Sequence, residues 1–375
     1  NMDCTEYMEL FLKDHHNMRK SDAKLCYQYK CALGGPIVYE KDDDKLLSLY
    51  MGKKPVKEEM CKEEIQLQEE IEKMQPIWKA EIEKSFTELA DVIEELHPVE
   101  FNSEFWSIYG GAYGDVLEDV AFLFCREDLI PETTKIRRLD FEEKGYYEII
   151  FDNLWENLTH QLSLYPAIYL AVPYLVMLLE KKKREGKADW EFKIISVLGD
   201  ILATDIIACG GGQQGELPEQ VWESYQKSVK RLQKMTKEYL VRNKEALKNK
   251  GIYFAIGILS ILADPEAAYE MLIGSFEQLI VECPNCEYYD DSMEIDGIED
   301  EKLLSEIIEP AEAVTGNWDW QDFSDTYVWF SHLAQIVDEK EAWKVKYYYG
   351  TYTCPECGSK GVLIEWMKEA DRKGY

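Results

Sequence analysis

Histidine is scarce in this chain. Five occur in 375 residues: His15, His16, His97, His160 and His332. None stands in an HExxH arrangement, which excludes the helix-borne zinc hydrolase pattern. No GxSxG is present, so the nucleophile elbow of many hydrolases is excluded as well. The glycine-rich stretch Gly210–Gly215 lacks the GK[ST] ending that cradles phosphates and reads as a loop. Gly110–Gly114 has the same deficiency.

Long apolar runs are missing too. The longest, Pro166–Leu179 and Gly251–Ala263, fall short of the ~20 residues that span a bilayer, and Pro173 interrupts the first. No membrane span is expected. The first residues carry no apolar run of signal-peptide type, so a soluble protein of the cytoplasm is expected. Positive charge is in deficit, with 42 Lys and Arg against 73 Asp and Glu, a net charge of −31. Such a chain repels phosphate backbones, which makes nucleic acid an unfavourable partner and a basic protein a favourable one.

Apolar residues are present in quantity, at 46%, and aromatics at 13%. That composition builds cores, and the length allows two or three folding units. Residues 1–54 read as an N-terminal arm with a helix near Tyr7–Asp14 and strand-like residues over Cys26–Tyr39. Residues 55–145 read as helical. Lys57–Met74 forms one helix there, Pro76 starts a second that ends at His97-Pro98, and Val116–Arg126 forms a third. In residues 146–280 the apolar spacing draws helices over Pro166–Lys183, Trp190–Ala208, Pro218–Asn243 and Gly251–Ala263, with Asp264-Pro265 opening another. Nearly all-apolar helices alternate with amphipathic ones, as stacked helical hairpins require. The expected fold is mainly α, an irregular α-solenoid with a compact helical bundle as the alternative.

The text around 154–179, LWENLTHQLSLYPAIYLAVPYLVMLL, carries His160, Gln161, Tyr165, Pro166, Ala167, Tyr169, Ala171, Val172, Pro173 and Leu175. This resembles a group of bacterial HEAT-like helical proteins of unknown function with a pattern like HQGTxYPASYAAVPHL. Leu162 replaces the glycine of that pattern and Ile168 a small residue. The resemblance spans about twenty-five residues and implies helical repeats without implying an activity.

Residues 281–375 carry the strongest motif. Cys283-Pro284-Asn285-Cys286 and Cys354-Pro355-Glu356-Cys357 are two CxxC knuckles, each flanked by strand-like segments. Those segments are Gln278–Val281 and Tyr288–Met293 around the first, Val345–Tyr352 and Gly361–Trp366 around the second. Two knuckles supply the four sulfurs that zinc prefers, and the segment resembles a zinc ribbon. Four thiolates leave no coordination position for water, so the expected Zn2+ is structural. The spacing departs from that class: 67 residues separate the pairs, against the usual ~15–20. Within them 287–344 reads as an acidic and helical insertion that begins with eleven acidic residues and one lysine between Glu287 and Glu312. A helix over Phe323–Val337 is expected to pack on the ribbon.

Catalytic candidates are few. Asp200 and Asp205 lie on one helix, with Asp205 near the stripe of Leu198 and Ile201. Together with Glu156, His160 and Gln161, Asp205 forms a candidate polar pocket. The favoured function is non-catalytic binding of a protein, with a basic bacterial toxin as one such partner. The alternatives are an enzyme with its pocket near His160, and a zinc-ribbon nucleic-acid factor using Lys344, Lys346, Lys360, Lys368, Arg372 and Lys373.

Overall fold

A computed structural model describes residues 2–15, 18, 20–33, 37–46, 62–114, 116–126, 146–160, 164–208, 217–274, 279–293, 295 and 298–373. The chain divides into two units, residues 1–80 with 127–142, and residues 81–126 with 143–375.

In the first unit, α1 (Cys4–Asp14) starts from a reciprocal cap: Asp3 accepts from the Glu6 N–H, and Glu6 reaches back to the Asp3 N–H. It packs on α2 (Lys20–Leu33). Ala23, Cys26 and Tyr27 of α2 are buried with Cys4, Tyr7 and Phe11 of α1. The expected strand from Cys26 is therefore corrected to helix. Spacing by three and four residues, rather than β-propensity, decides the segment. Tyr7 donates to the buried Asp43 at 2.6 Å, and Lys30 pairs with the same carboxylate at 2.8 Å.

Helix α3 runs from Lys62 to Glu88 with Pro76 inside it. Two helices were expected there. Proline removes one N–H, and the Glu, Gln and Lys around it are strong helix formers that carry the turn through. In the second unit α4 (Ala90–Leu96) ends at His97 in the left-handed conformation, where His97-Pro98 predicts an end. Two short helices follow, α5 (Phe105–Ile108) and α6 (Leu117–Phe122), the latter shorter than expected. Tyr174 collects the aromatic residues of this region. Phe101 stacks on it at 4.6 Å, Trp106 lies 5.8 Å away, and its hydroxyl donates to the Val99 carbonyl at 2.8 Å.

Helix α7 (Tyr146–Leu158) leads to the centre of the unit. Helices α8 (Ile168–Arg184), α9 (Ala188–Ala208), α10 (Glu219–Arg242) and α11 (Ile252–Leu262) lie within two residues of their expected bounds. Every residue from Ile168 to Glu180 is buried. Neighbours in sequence pack in pairs, α8 with α9 and α10 with α11. The pairs also pack on each other, α8 on α10 and α9 on α11. Gly199 and Gly257 let the α9 and α11 backbones touch. Asp264 caps α12 (Pro265–Ile273) by accepting from the Ala267 N–H at 2.9 Å.

The C-terminal part adds small antiparallel sheets to this mainly helical fold. Strand β1 (Leu279–Glu282) pairs with β2 (Tyr289–Met293). Helix α13 (Glu301–Ile307) leads into β3 (Ile308–Glu309), which pairs with a later strand, β4. Helix α14 (Thr326–Val337) packs on α11 and on α15 (Val345–Tyr348). It was expected on the ribbon. Its buried face of Trp329, Phe330, Leu333 and Val337 finds more apolar area on the almost wholly buried α11 than short strands offer. Strand β4 (Thr351–Thr353) pairs with β3 on one side and β5 (Lys360–Val362) on the other. Residues Val345–Tyr348 and Leu363–Trp366, expected in strands, are helical, the latter opening α16 (Leu363–Arg372). Leu363, Ile364, Trp366, Met367 and Ala370 make its buried stripe, which packs on β1 and α12.

Candidate metal centre

The two knuckles sit in the turns of the β1–β2 and β4–β5 hairpins, and they are built alike. In the first, Cys283 N–H donates to the Tyr288 carbonyl and Glu287 N–H to the Cys283 carbonyl, both at 2.9 Å. In the second, Cys354 N–H donates to the Ser359 carbonyl at 2.8 Å and Gly358 N–H to the Cys354 carbonyl at 2.9 Å. The residue after each second cysteine takes positive φ, 57° at Glu287 and 73° at Gly358. Glycine suits that conformation and glutamate adopts it at a cost.

These turns bring four sulfurs together across 67 intervening residues. The Sγ atoms of Cys283, Cys286, Cys354 and Cys357 all lie within 4.8 Å of one another, with Cys283–Cys357 and Cys286–Cys354 at 3.6 Å. Sulfurs placed about 2.3 Å from one ion at tetrahedral corners stand about 3.8 Å apart. The set is too wide for disulfides, whose sulfurs meet at about 2.05 Å, and fits one metal ion. Cys283 and Cys354 are buried while Cys286 and Cys357 reach the surface. The Ser359 hydroxyl and backbone N–H hold the Cys357 thiol down to about 6.

Contacts that the sequence did not reveal hold the hairpins together. Asn285 Nδ2 donates to Ser359 Oγ at 2.8 Å, and Tyr352 Oη to Asp290 Oδ2 at 3.1 Å. Both pairings are long-range, so no local pattern announces them. The third strand, β3, likewise pairs across the insertion with Ile308 opposite Tyr352.

The candidate polar pocket is only partly assembled. His160 Nδ1 lies 2.7 Å from Glu156 Oε1 and 2.9 Å from Tyr113 Oη. Gln161 lies outside the described residues. Asp205 is buried elsewhere and accepts from Tyr169 at 2.9 Å and Tyr225 at 2.7 Å, tying α8 and α10 to α9. Both its oxygens serve the helix packing. Asp200, earlier on the same helix, lines a cavity of about 970 Å3 to which α7 contributes Glu148, Asp152 and Glu156. Burial pushes the Asp200 carboxyl up to about 7.

Compared with models of protein families, with curated proteins and with solved structures, the chain matches none.

Proposed function

We propose that this chain is a non-catalytic binding protein in which a structural zinc site fixes an acidic face that receives a basic protein partner. The fate of the cations around the hairpins carries this reading. Lys344 pairs with Glu341, Lys346 with Glu301, Lys360 with Glu309, Arg372 with Glu266 and Lys373 with Glu282. Lys368 pairs with both Asp264 and Glu365. The cations that a zinc-ribbon nucleic-acid factor would need are thus all engaged by carboxylates. Glu287, Asp291, Glu299, Glu306 and Glu312 are exposed, and none has an ion-pair partner among the described residues. Spare carboxylates beside neutralised amines repel polyanions and attract cationic proteins.

Zinc would be held by Cys283, Cys286, Cys354 and Cys357 and would supply a cross-link, with no open position for chemistry. The two hairpins fit the zinc-ribbon reading, and the two packed helix pairs fit the HEAT-like one, in which such pairs support a binding surface. A basic toxin held by the acidic face would make the protein immunity-like. The enzyme alternative is weaker, because Asp205 spends its oxygens on two tyrosines and does not line the cavity that bears Glu156.

The test is calorimetric titration with oligolysine and with duplex DNA, at low and raised salt. The comparison variant joins Glu287→Gln, Asp291→Asn, Glu299→Gln, Glu306→Gln and Glu312→Gln. Salt-labile peptide binding that weakens about tenfold or more in the variant is expected. Equal binding by the variant would sink the reading. Tighter binding of DNA than of peptide would also do so, and would move attention to the exposed Lys230 and Lys234 of α10.

A further inference from the structure

We infer that the cavity bounded by α7, α9, α11 and α12 is a binding site for a small organic cation, an amine with an apolar body, seated on the Asp200 carboxylate. The inference does not depend on the acidic face.

The cavity is about 970 Å3, the size of a small-molecule site. Its apolar lining is mostly rings, Phe151, Trp155, Phe192, Tyr253 and Phe254, with Val197 and Leu272. Trp155 and Tyr253 are 39% and 49% exposed, unusually open for rings of that size. Among the described residues two lysines line the cavity, and each already has a carboxylate partner. Lys193 pairs with Glu148. Lys250 stands 4.3 Å over the Phe192 ring and 3.8 Å from Asp189. The hydroxyls nearest Asp200 in sequence are also spent: Ser196 donates to the Phe192 carbonyl at 2.9 Å and Thr204 to the Asp200 carbonyl at 2.8 Å. No donor reaches the Asp200 carboxylate among the described residues. Burial is the sole cause of its raised pKa, which agrees with the lack of a nearby cation.

A carboxylate in an aromatic-walled recess selects its ligand by exclusion. An anion would meet Glu148, Asp152, Glu156 and Asp200 on the lining, against Lys193, which Glu148 neutralises, and Lys250. A neutral apolar molecule would bury Asp200 without a partner, at a cost. A divalent metal needs several converging oxygens, and among the described residues the four cysteines form the one cluster able to hold a metal. An ammonium group satisfies the carboxylate while ring faces stabilise its charge and cover its apolar body.

Phenethylamine, phenethyl alcohol and 3-phenylpropionate are matched probes of the three charge types. They are titrated into the full chain and followed by ligand-observed NMR and calorimetry. The amine is expected to bind tightest and the acid weakest. Asp200→Asn should weaken the amine about tenfold or more and leave the alcohol unchanged. Trp155→Ala, at the exposed rim, should weaken amine and alcohol alike, and it decides the matter if the Asn variant does not fold. Equal affinity for amine and alcohol, preference for the acid, an Asn variant that binds the amine normally, or no binding of any probe would each overturn the assignment.

Discussion

Alanine at Gly199 and alanine at Gly257 should change stability in opposite directions, although the two glycines face each other. A Cβ built on Gly199 stands 2.5 Å from Gly257 Cα and 2.7 Å from its carbonyl carbon and oxygen. Non-bonded carbons settle at about 3.5–4.0 Å, so α9 and α11 would have to part by about 1 Å. The obstacle is backbone, which has no rotamer to yield. Overpacking of this kind costs about 1–3 kcal/mol, and the upper part of that range applies here. The better helix propensity of alanine returns about 1 kcal/mol, leaving a net loss of about 2 kcal/mol. A Cβ on Gly257 stands 3.5 Å from Gly199 Cα and 3.6 Å from the Ser196 carbonyl oxygen, which is ordinary contact. That variant keeps the propensity gain and should be up to about 1 kcal/mol more stable. Scanning calorimetry of the three proteins should separate the variants by roughly 6–12 °C, at about 2–4 °C per kcal/mol. If both alanines lower the melting temperature equally, or Gly199→Ala is neutral, the close approach of these helices has been misread.

The purified chain should contain about one metal ion per molecule, and Cys354→Ser should abolish it; loss of part of the ~10 kcal/mol that a structural zinc site delivers should appear as a lower melting temperature. Retention of the metal by the serine variant, measured by mass spectrometry, would count against a four-sulfur site. Glu270, buried on α12, is pushed up to about 9 by burial and by Asp371. Its folded-state value exceeds the unfolded one, so its contribution to stability is greatest below the ordinary carboxylate range and declines as pH rises towards 9. Glu270→Gln should flatten that decline, seen as a melting temperature that falls less than in the parent protein from mildly acid to alkaline pH; parallel profiles would contradict it. Glu287→Gly should stabilise the first knuckle by about 0.5–1 kcal/mol, because glycine takes φ of 57° without strain. Urea unfolding of the metal-loaded protein checks it, and a destabilised variant would argue against strain at Glu287.

Spacing made the central helices legible. In α8 to α11 the apolar residues mark one face or nearly all faces, and Pro218, Gly251 and Asp264 stand at the ends. The knuckles were legible because CxxC carries its own geometry. The rest depended on which partner a face meets, which periodicity does not encode. Asp200 and Asp205 sit on one helix, and spacing pointed to Asp205 as the residue of interest. It is indeed inward, but Tyr169 and Tyr225 arrive from other helices to occupy it. Asp200, passed over, faces a cavity whose walls come from four separate segments. The residues from Cys26 onward look strand-like one by one, and only the buried face of α1 makes the helical stripe of α2 decisive.

The 67 residues between the cysteine pairs raise the question of why a candidate metal site should be split so widely. An unstructured loop of that length would carry a closure cost that the ion alone would have to offset. The segment is not such a loop. Its β3 pairs with β4, and its α14 packs on α11, so both ends are anchored by protein contacts. The Tyr352–Asp290 and Asn285–Ser359 bonds then join the hairpins, and Lys373 ties α16 to Glu282 of β1. Burial and hydrogen bonding in these contacts offset part of the closure entropy independently of the sulfurs. An ion bound by the four cysteines would then have a local task, to lock two short hairpins whose strands run three to five residues each. The same contacts leave part of the segment's acid free: Glu301, Glu309 and Glu341 pair with lysines, while Glu287, Asp291, Glu299, Glu306 and Glu312 stay exposed without an ion-pair partner among the described residues.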